Sequence, residues 1–295
     1  MHKLSRRQWV ILILLTLVWG LNWPVMKVGV QDFPPLTFRA ISACLGLPVL
    51  GLVLWLLKVP FAIPRRQWRE LARLALFNMI LWHGLIILAV ASLSSGRAAI
   101  LGYTMPIFSA MLGAWVYDNR LSRRAWGGVA AAALGVLLLL WHEITALSGK
   151  PLGVALALTA AAFWALGTHQ LRRTTMTVPT LAISFWMTAL TTASMVLLSL
   201  LFDRADWKTP SPANWFSILF NVFLVYGFSQ SAWFYLARSL PPVASTLSVM
   251  FIPILGVLSG AWWLGEVLHW QDWAAVLLMA VAIASVLLPA RSVAR

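Results

Sequence analysis

The side chains in this sequence that could do chemistry come in short clusters inside apolar runs. W-G-L-N-W-P places Trp19, Asn22 and Trp23 within about one helical turn, with Pro24 disturbing the helix just beyond. Trp19 and Trp23 stand four apart and so share a face, with Asn22 beside them. This is either an aromatic wall carrying one hydrogen-bonding group, or a packed kink whose Asn22 bonds a neighbouring carbonyl. Asn78, Trp82 and His83 follow one another at helical spacing. A histidine at that depth can hydrogen-bond a carboxylate or take up a proton near neutral pH. It can equally stay neutral and bond a Ser or Thr across helices.

Tyr103 and Thr104 precede Pro106, and Ser248, Met250 and Phe251 precede Pro253. A proline removes one backbone donor and loosens the turn before it, so a carbonyl there can face a ligand. Both prolines are therefore candidate hinges, although proline is also ordinary in membrane helices. Trp164, with His169 and Gln170 further along, occupies the place in the second half that Trp19 occupies in the first. Trp186, Asn221, Tyr226, Gln230 and Trp233 complete the polar and aromatic inventory.

Absences narrow the chemistry. No Asp or Glu falls mid-span, so neither an acidic proton relay nor a carboxylate sodium site is supported. GxxxxGK[ST], G-x-S-x-G and H-E-x-x-H are all missing, so no cofactor and no enzymatic reaction is expected. Cys44 is the single cysteine, which rules out an intrachain disulfide, and no Cys/His spacing suits a metal.

The elements that must position these groups follow from composition. Of 295 residues, 61% are hydrophobic and 10% charged, more apolar than a water-soluble core can hide. The net charge of +14 does not indicate nucleic acid, because the basic residues sit in short clusters between long apolar runs. Ten runs near Trp9–Val30, Leu36–Leu57, Leu71–Leu93, Ala98–Tyr117, Ala125–Trp141, Leu152–Leu171, Leu181–Phe202, Trp215–Ala237, Val243–Leu264 and Trp273–Leu288 are long enough to cross a bilayer as helices. Barrel strands would be about half that length and would alternate. The expected fold is an all-α polytopic membrane protein, the first run being an uncleaved span. Trp9, Trp55, Trp115, Trp141, Trp262 and Trp270, near span ends, form an interfacial belt.

The chain also repeats itself. With one constant shift, Pro106 falls on Pro253, Ala114 on Ala261, Trp115 on Trp262 and Trp126 on Trp273. Two five-span halves follow, residues 1–145 and 146–295. Lys and Arg crowd one side, as at Arg6 and Arg7, Arg65 to Arg73, and Arg123 and Arg124. The other side has only Lys27, Arg39, Arg97, Lys150, Arg204 and Lys208. Both termini are thus expected in the cytoplasm. Five is odd, so the second half enters from the opposite side, giving an inverted repeat that suits alternating access. G-V-L-S-G, with Gly256 and Gly260, reads as a close-packing face between halves or between protomers.

V-W-G-L-N-W-P-V-M-K-V, F-P-P-L-T-F-R-A, S-S-G-R-A-A-I-L-G-Y-T-M-P-I-F-S-A and P-P-V-A-S-T-L-S-V-M-F-I-P-I-L-G-V-L-S-G-A-W-W-L-G-E together resemble the EamA-type transporters of the drug/metabolite transporter superfamily. The resemblance implies a secondary carrier of the bacterial inner membrane, exporting amino acids or related metabolites. It implies a small-molecule substrate, a surrounding lipid bilayer, and a monomer or weak homodimer. It also implies a central cavity lined by the first, third, fourth, sixth, eighth and ninth spans. Here these match Trp19, Asn22, Trp82, His83, Tyr103, Trp164, Tyr226, Gln230 and Met250. Members commonly carry Glu at the ends of the fourth and ninth spans; this chain keeps Glu266 but has Asn119 in the first half. A multidrug exporter and a non-transporting membrane scaffold are the alternative functions.

Overall fold

Helical rods occupy each expected span: Arg6–Val30, Pro35–Leu56, Arg65–Ser92, Ser95–Val116, Arg123–Thr145, Pro151–Arg172, Thr180–Asp206, 212–237, Pro242–Leu264 and Trp270–Leu287. The structure, a computed structural model, describes residues 5–116, 121–145, 149–237 and 242–287, and the side chains at 143 and 234–250 lie outside the described set. No strand occurs among the described residues. The first seven rods are long and apolar enough to cross a membrane, and Phe251–Leu264 and Trp270–Ser285 are shorter apolar helices. Their outer faces carry large apolar side chains, such as Leu152 at 71% and Trp262 at 88% exposure, which only lipid would tolerate in this number. This is a multi-pass helical membrane protein.

Local sequence sets where the helices begin and end. Ser5 and Ser211 accept from the backbone N–H groups of Gln8 and Asn214, whose side chains reach back in capping boxes. Pro35, Pro151 and Pro212 start their helices, where a missing N–H costs nothing. Gly265, at φ 65°, ends the ninth helix in the left-handed region and turns Glu266 back towards Gly260.

The fourth helix is broken and the ninth is not. Residues Ser95–Gly102 and Met105–Val116 form separate helices, joined by a turn at Tyr103 and Thr104. Pro106 has no N–H for the carbonyl of Gly102, and the Thr104 hydroxyl donates to Leu101 O at 2.6 Å. Pro253 lies within a continuous helix, Pro242–Leu264. The two matched prolines therefore do not have matched local structure. A π-helical stretch interrupts the third rod at Leu76–Ile80 and the eighth at Asn221–Ser229, equivalent rods of the two halves.

The packing has a consistent pattern. The first helix lies against the eighth and ninth, and the sixth lies against the third and fourth. The second lies against the eighth and the seventh against the third, while the pairs second–seventh, fourth–ninth and fifth–tenth also touch. Exchanging the halves leaves this set unchanged. Gly256 and Gly260 serve the fourth–ninth contact within the chain. A Cβ on Gly256 would come within 2.8 Å of Ala99 Cβ, and one on Gly260 would meet Ser95 Oγ and Glu266 Oε2.

Candidate functional site

Where the halves meet, aromatic rings from four rods gather round one glycine. A Cβ on Gly102 would stand 2.8 Å from Trp23 Cη2 and 3.4 Å from Trp82 Cη2. Trp23 meets Tyr103 edge-on at 6.2 Å between centroids, and Trp82 meets Trp164 at 6.4 Å. The break in the fourth helix presents Tyr103 here, and the absence of a side chain at Gly102 lets both indoles approach the backbone. Trp82, Tyr103 and Trp164, three of the residues expected from sequence, belong to one cluster. Trp19 packs against this core too, and its ring also lies 5.5 Å from Trp233, in an apolar group with Leu12, Leu15 and Ala232. Four residues along a helix is a step of about 6 Å, so Trp19 and Trp23 share a face at different depths. Trp23 is the one of the pair whose ring meets Tyr103.

Several polar atoms of the rods are buried without a hydrogen-bond partner, among them Asn22 Oδ1, Ser42 Oγ, His83 Nδ1, Tyr226 Oη and Ser229 Oγ. Buried polar atoms are nearly always paired, and each orphan costs on the order of 1–3 kcal/mol. Asn22 and His83 are the chain neighbours of Trp23 and Trp82, two rings of the cluster. Gln230 is half-buried, and the Met250 side chain falls outside the described residues, as does Asn119.

Of the other polar residues singled out by sequence, Gln170 Oε1 and Asn221 Oδ1 are also buried without a partner, whereas Asn78, His169 and Trp186 are hydrogen-bonded. Asn78 Nδ2 donates to Trp164 O at 3.4 Å and Thr168 Oγ1 at 3.2 Å, where Gly167 lets the sixth helix press against the π-helical turn. His169 Nε2 lies 2.7 Å from Ser109 O, tying the sixth helix to the fourth. Trp186 Nε1 donates to Phe61 O at 2.7 Å.

A groove of about 250 Å³ is lined by Val30, Asp32, Phe33, Asp203 and Lys208, and another of about 410 Å³ by Phe33, Thr37, Cys44, Ser199 and Trp207. Neither is lined by an expected site residue, so the expected central cavity is not among them. At the end bearing most of the acidic residues the halves are joined by polar contacts. Glu266 accepts from Ser95 N at 2.6 Å, Ser95 Oγ at 3.0 Å and Gly96 N at 3.2 Å, capping the fourth helix. Arg97 Nε pairs with Asp272 Oδ1 at 2.7 Å. Lys27 Nζ donates to Val90 O at 3.1 Å and Ala91 O at 3.0 Å.

Sequence reading missed Arg39. It lies in the second helix at 3% exposure, with Nη2 donating to Met26 Sδ at 3.0 Å and Nε unpartnered. The signal was available, since Arg39 lies inside the apolar run Leu36–Leu57, where an ionisable residue marks a functional site by default. Counting it with the loop charges concealed it.

The fold defines a polytopic helical membrane protein. The EamA-like transporter family matches residues 7–141 and 151–288, and this chain belongs to it. Over 288 residues it is 27% identical to a "Probable amino-acid metabolite efflux pump" of Salmonella typhimurium, covering 94% of both chains. It is 26% identical over 280 residues to the "Uncharacterized inner membrane transporter YedA" of Escherichia coli K12, covering 94% of this chain and 89% of that one. A solved crystal structure matches it with a TM-score of 0.67 at 20% identity, over 98% of this chain and 100% of its own, a likeness of fold.

Proposed function

We propose that this transporter exports a small metabolite, an amino acid or related compound, across the inner membrane by alternating access. The carrying observation is the junction itself. Trp23, Tyr103, Trp82 and Trp164 offer apolar walls, and Asn22 and His83, next to Trp23 and Trp82 in the chain, offer buried polar atoms without a partner. An amino acid with an apolar side chain has that same division of character. The efflux-pump name of one relative supports the substrate class, and the inner-membrane name of another supports the location. Both termini lie in the cytoplasm on the distribution of Lys and Arg.

The two halves are read as an inverted repeat, with residues 1–145 and 146–295 as its units. The packing pattern and the paired π-helical stretches of the third and eighth rods support this. Exchanging the conformations of such halves turns one access state into the other. The contacts of Glu266 and Arg97 then close the outer side.

A solute screen in proteoliposomes, with and without a pH gradient, tests the reading. Labelled amino acids should cross faster than through empty liposomes. If amines or dissimilar drugs cross and amino acids do not, the multidrug alternative holds. If no solute crosses, the scaffold alternative holds.

A further inference from the structure

Of the basic side chains within the rods, Lys27 and Arg97 are satisfied, the first by the carbonyls of Val90 and Ala91 and the second by Asp272. Arg39 is different. Its guanidinium is held by a thioether at 3.0 Å, a weak acceptor that carries no countercharge. Its Nε has no partner, and it forms no ion pair among the described residues. The phenol of Tyr226 and the imidazole of His83 stand within its electrostatic reach.

Among the described residues no carboxylate pairs with it. Asp203, the acid packed against the start of the second helix, accepts from Thr37 N at 2.8 Å and Thr37 Oγ1 at 3.0 Å. Asp32 accepts from Asn214, Glu266 caps the fourth helix, and Asp272 holds Arg97. Glu70 accepts from Thr174 at the opposite end. Asp118 and the Glu143 side chain lie outside the described residues.

A guanidinium stays charged in any protein environment, so burial cannot be relieved by losing a proton. A buried cation without a countercharge is strongly unfavourable unless an anion arrives. We infer that Arg39 is the anchor for a carboxylate carried by the transported solute, with the Tyr226 hydroxyl and His83 Nδ1 completing the polar pole. The guanidinium fork matches a carboxylate in two parallel hydrogen bonds. Arg39 donates to Met26 of the first rod and lies within electrostatic range of His83 in the third and Tyr226 in the eighth, on a second helix that packs against all three rods. With a single cation at this pole, a carboxylate is neutralised where a phosphate dianion is not. Gly46 makes the arrangement possible, since a Cβ there would collide with the Tyr226 ring.

This inference rests on the proposed transport function, and its test separates the two. Isothermal titration of the purified full chain in detergent compares phenylalanine, leucine and threonine with their amides, and with inorganic phosphate. Wild type is expected to bind at least one acid and to prefer it over its amide. Arg39→Gln should weaken acid binding about thirtyfold or more and leave the amide unchanged, the loss expected for one desolvated charged contact. Arg39→Met should also lose the acid preference while its melting temperature rises, because an unpaired buried charge has been removed. A merely structural arginine would instead lower the melting temperature of both variants and leave the acid-to-amide ratio alone. Retention of the preference by a folded Arg39→Gln, indifference of wild type to acid and amide, or binding of phosphate alone overturns the assignment. A wild type that prefers acids yet moves nothing in liposomes overturns the transport reading and leaves Arg39 assigned.

Discussion

The carboxylate of Glu266 sits over the backbone N–H of Ser95, 2.6 Å away, so the residue that ends the ninth helix caps the start of the fourth. The contact joins the two halves through a helix N-terminus, where a negative charge is favoured. Glu266→Ala removes acceptors from Ser95 N, Ser95 Oγ and Gly96 N together. The expected cost is about 2 kcal/mol, read as a lower melting temperature in detergent. Glu266→Gln keeps the shape and loses the charge, and should fall between. Cysteine introduced at Ser95 should react faster with an external thiol reagent in Glu266→Ala than in wild type. Equal reactivity would dissociate this cap from outer closure.

Arg97 and Asp272 form the neighbouring clasp, at 11% and 4% side-chain exposure. Removing one partner leaves a buried charge alone, so Arg97→Ala should destabilise by roughly 3 kcal/mol. The double variant Arg97→Ala/Asp272→Ala should cost less than the two single changes summed, a coupling that a double-mutant cycle on melting temperatures measures directly.

Glycine positions distinguish close packing from tolerance. A Cβ on Gly167 would lie 2.5 Å from Asn78 N, whereas one on Gly127 meets nothing within 4 Å. Gly167→Ala is expected to destabilise by about 1–3 kcal/mol through overpacking against backbone. Gly127→Ala should stabilise by up to about 1 kcal/mol, the ordinary helix gain. Thermal unfolding of the two single variants against wild type decides it.

The prolines should behave unequally. Pro106→Ala restores a donor for the Gly102 carbonyl and favours closing the gap at Tyr103 and Thr104, which would withdraw Tyr103 from Trp23. Pro253→Ala restores a bond in a helix that is already continuous. Hydrogen exchange at residues 101–105 should slow in the first variant, and transport should fall. Exchange there should be unchanged in the second.

The rods were legible from the length of apolar runs, because a bilayer imposes that length directly; helix starts such as Pro35 and Pro151 fell within a few residues of expectation. The π-helical stretches at Leu76–Ile80 and Asn221–Ser229 were not, since a shift in hydrogen-bond register leaves no mark on hydrophobic pattern. The alignment of Pro106 with Pro253 suggested equal hinges, yet Thr104 caps Leu101 in one copy and no such break exists in the other. Trp82, Tyr103 and Trp164 came together as their positions suggested. Trp23 meets Tyr103 while Trp19 meets Trp233, because spacing fixes a face and leaves depth relative to other rods undetermined.

The central claim is that solute crosses through the aromatic junction between the halves. Counterflow of labelled phenylalanine and leucine into proteoliposomes, in wild type and in Trp164→Ala of matched melting temperature, tests it most directly. Wild type should exceed empty liposomes, and Trp164→Ala should slow the initial rate about tenfold, the effect of losing roughly 1.4 kcal/mol of aromatic contact. Wild-type rates no higher than those of empty liposomes, or equal rates in wild type and Trp164→Ala, would contradict it.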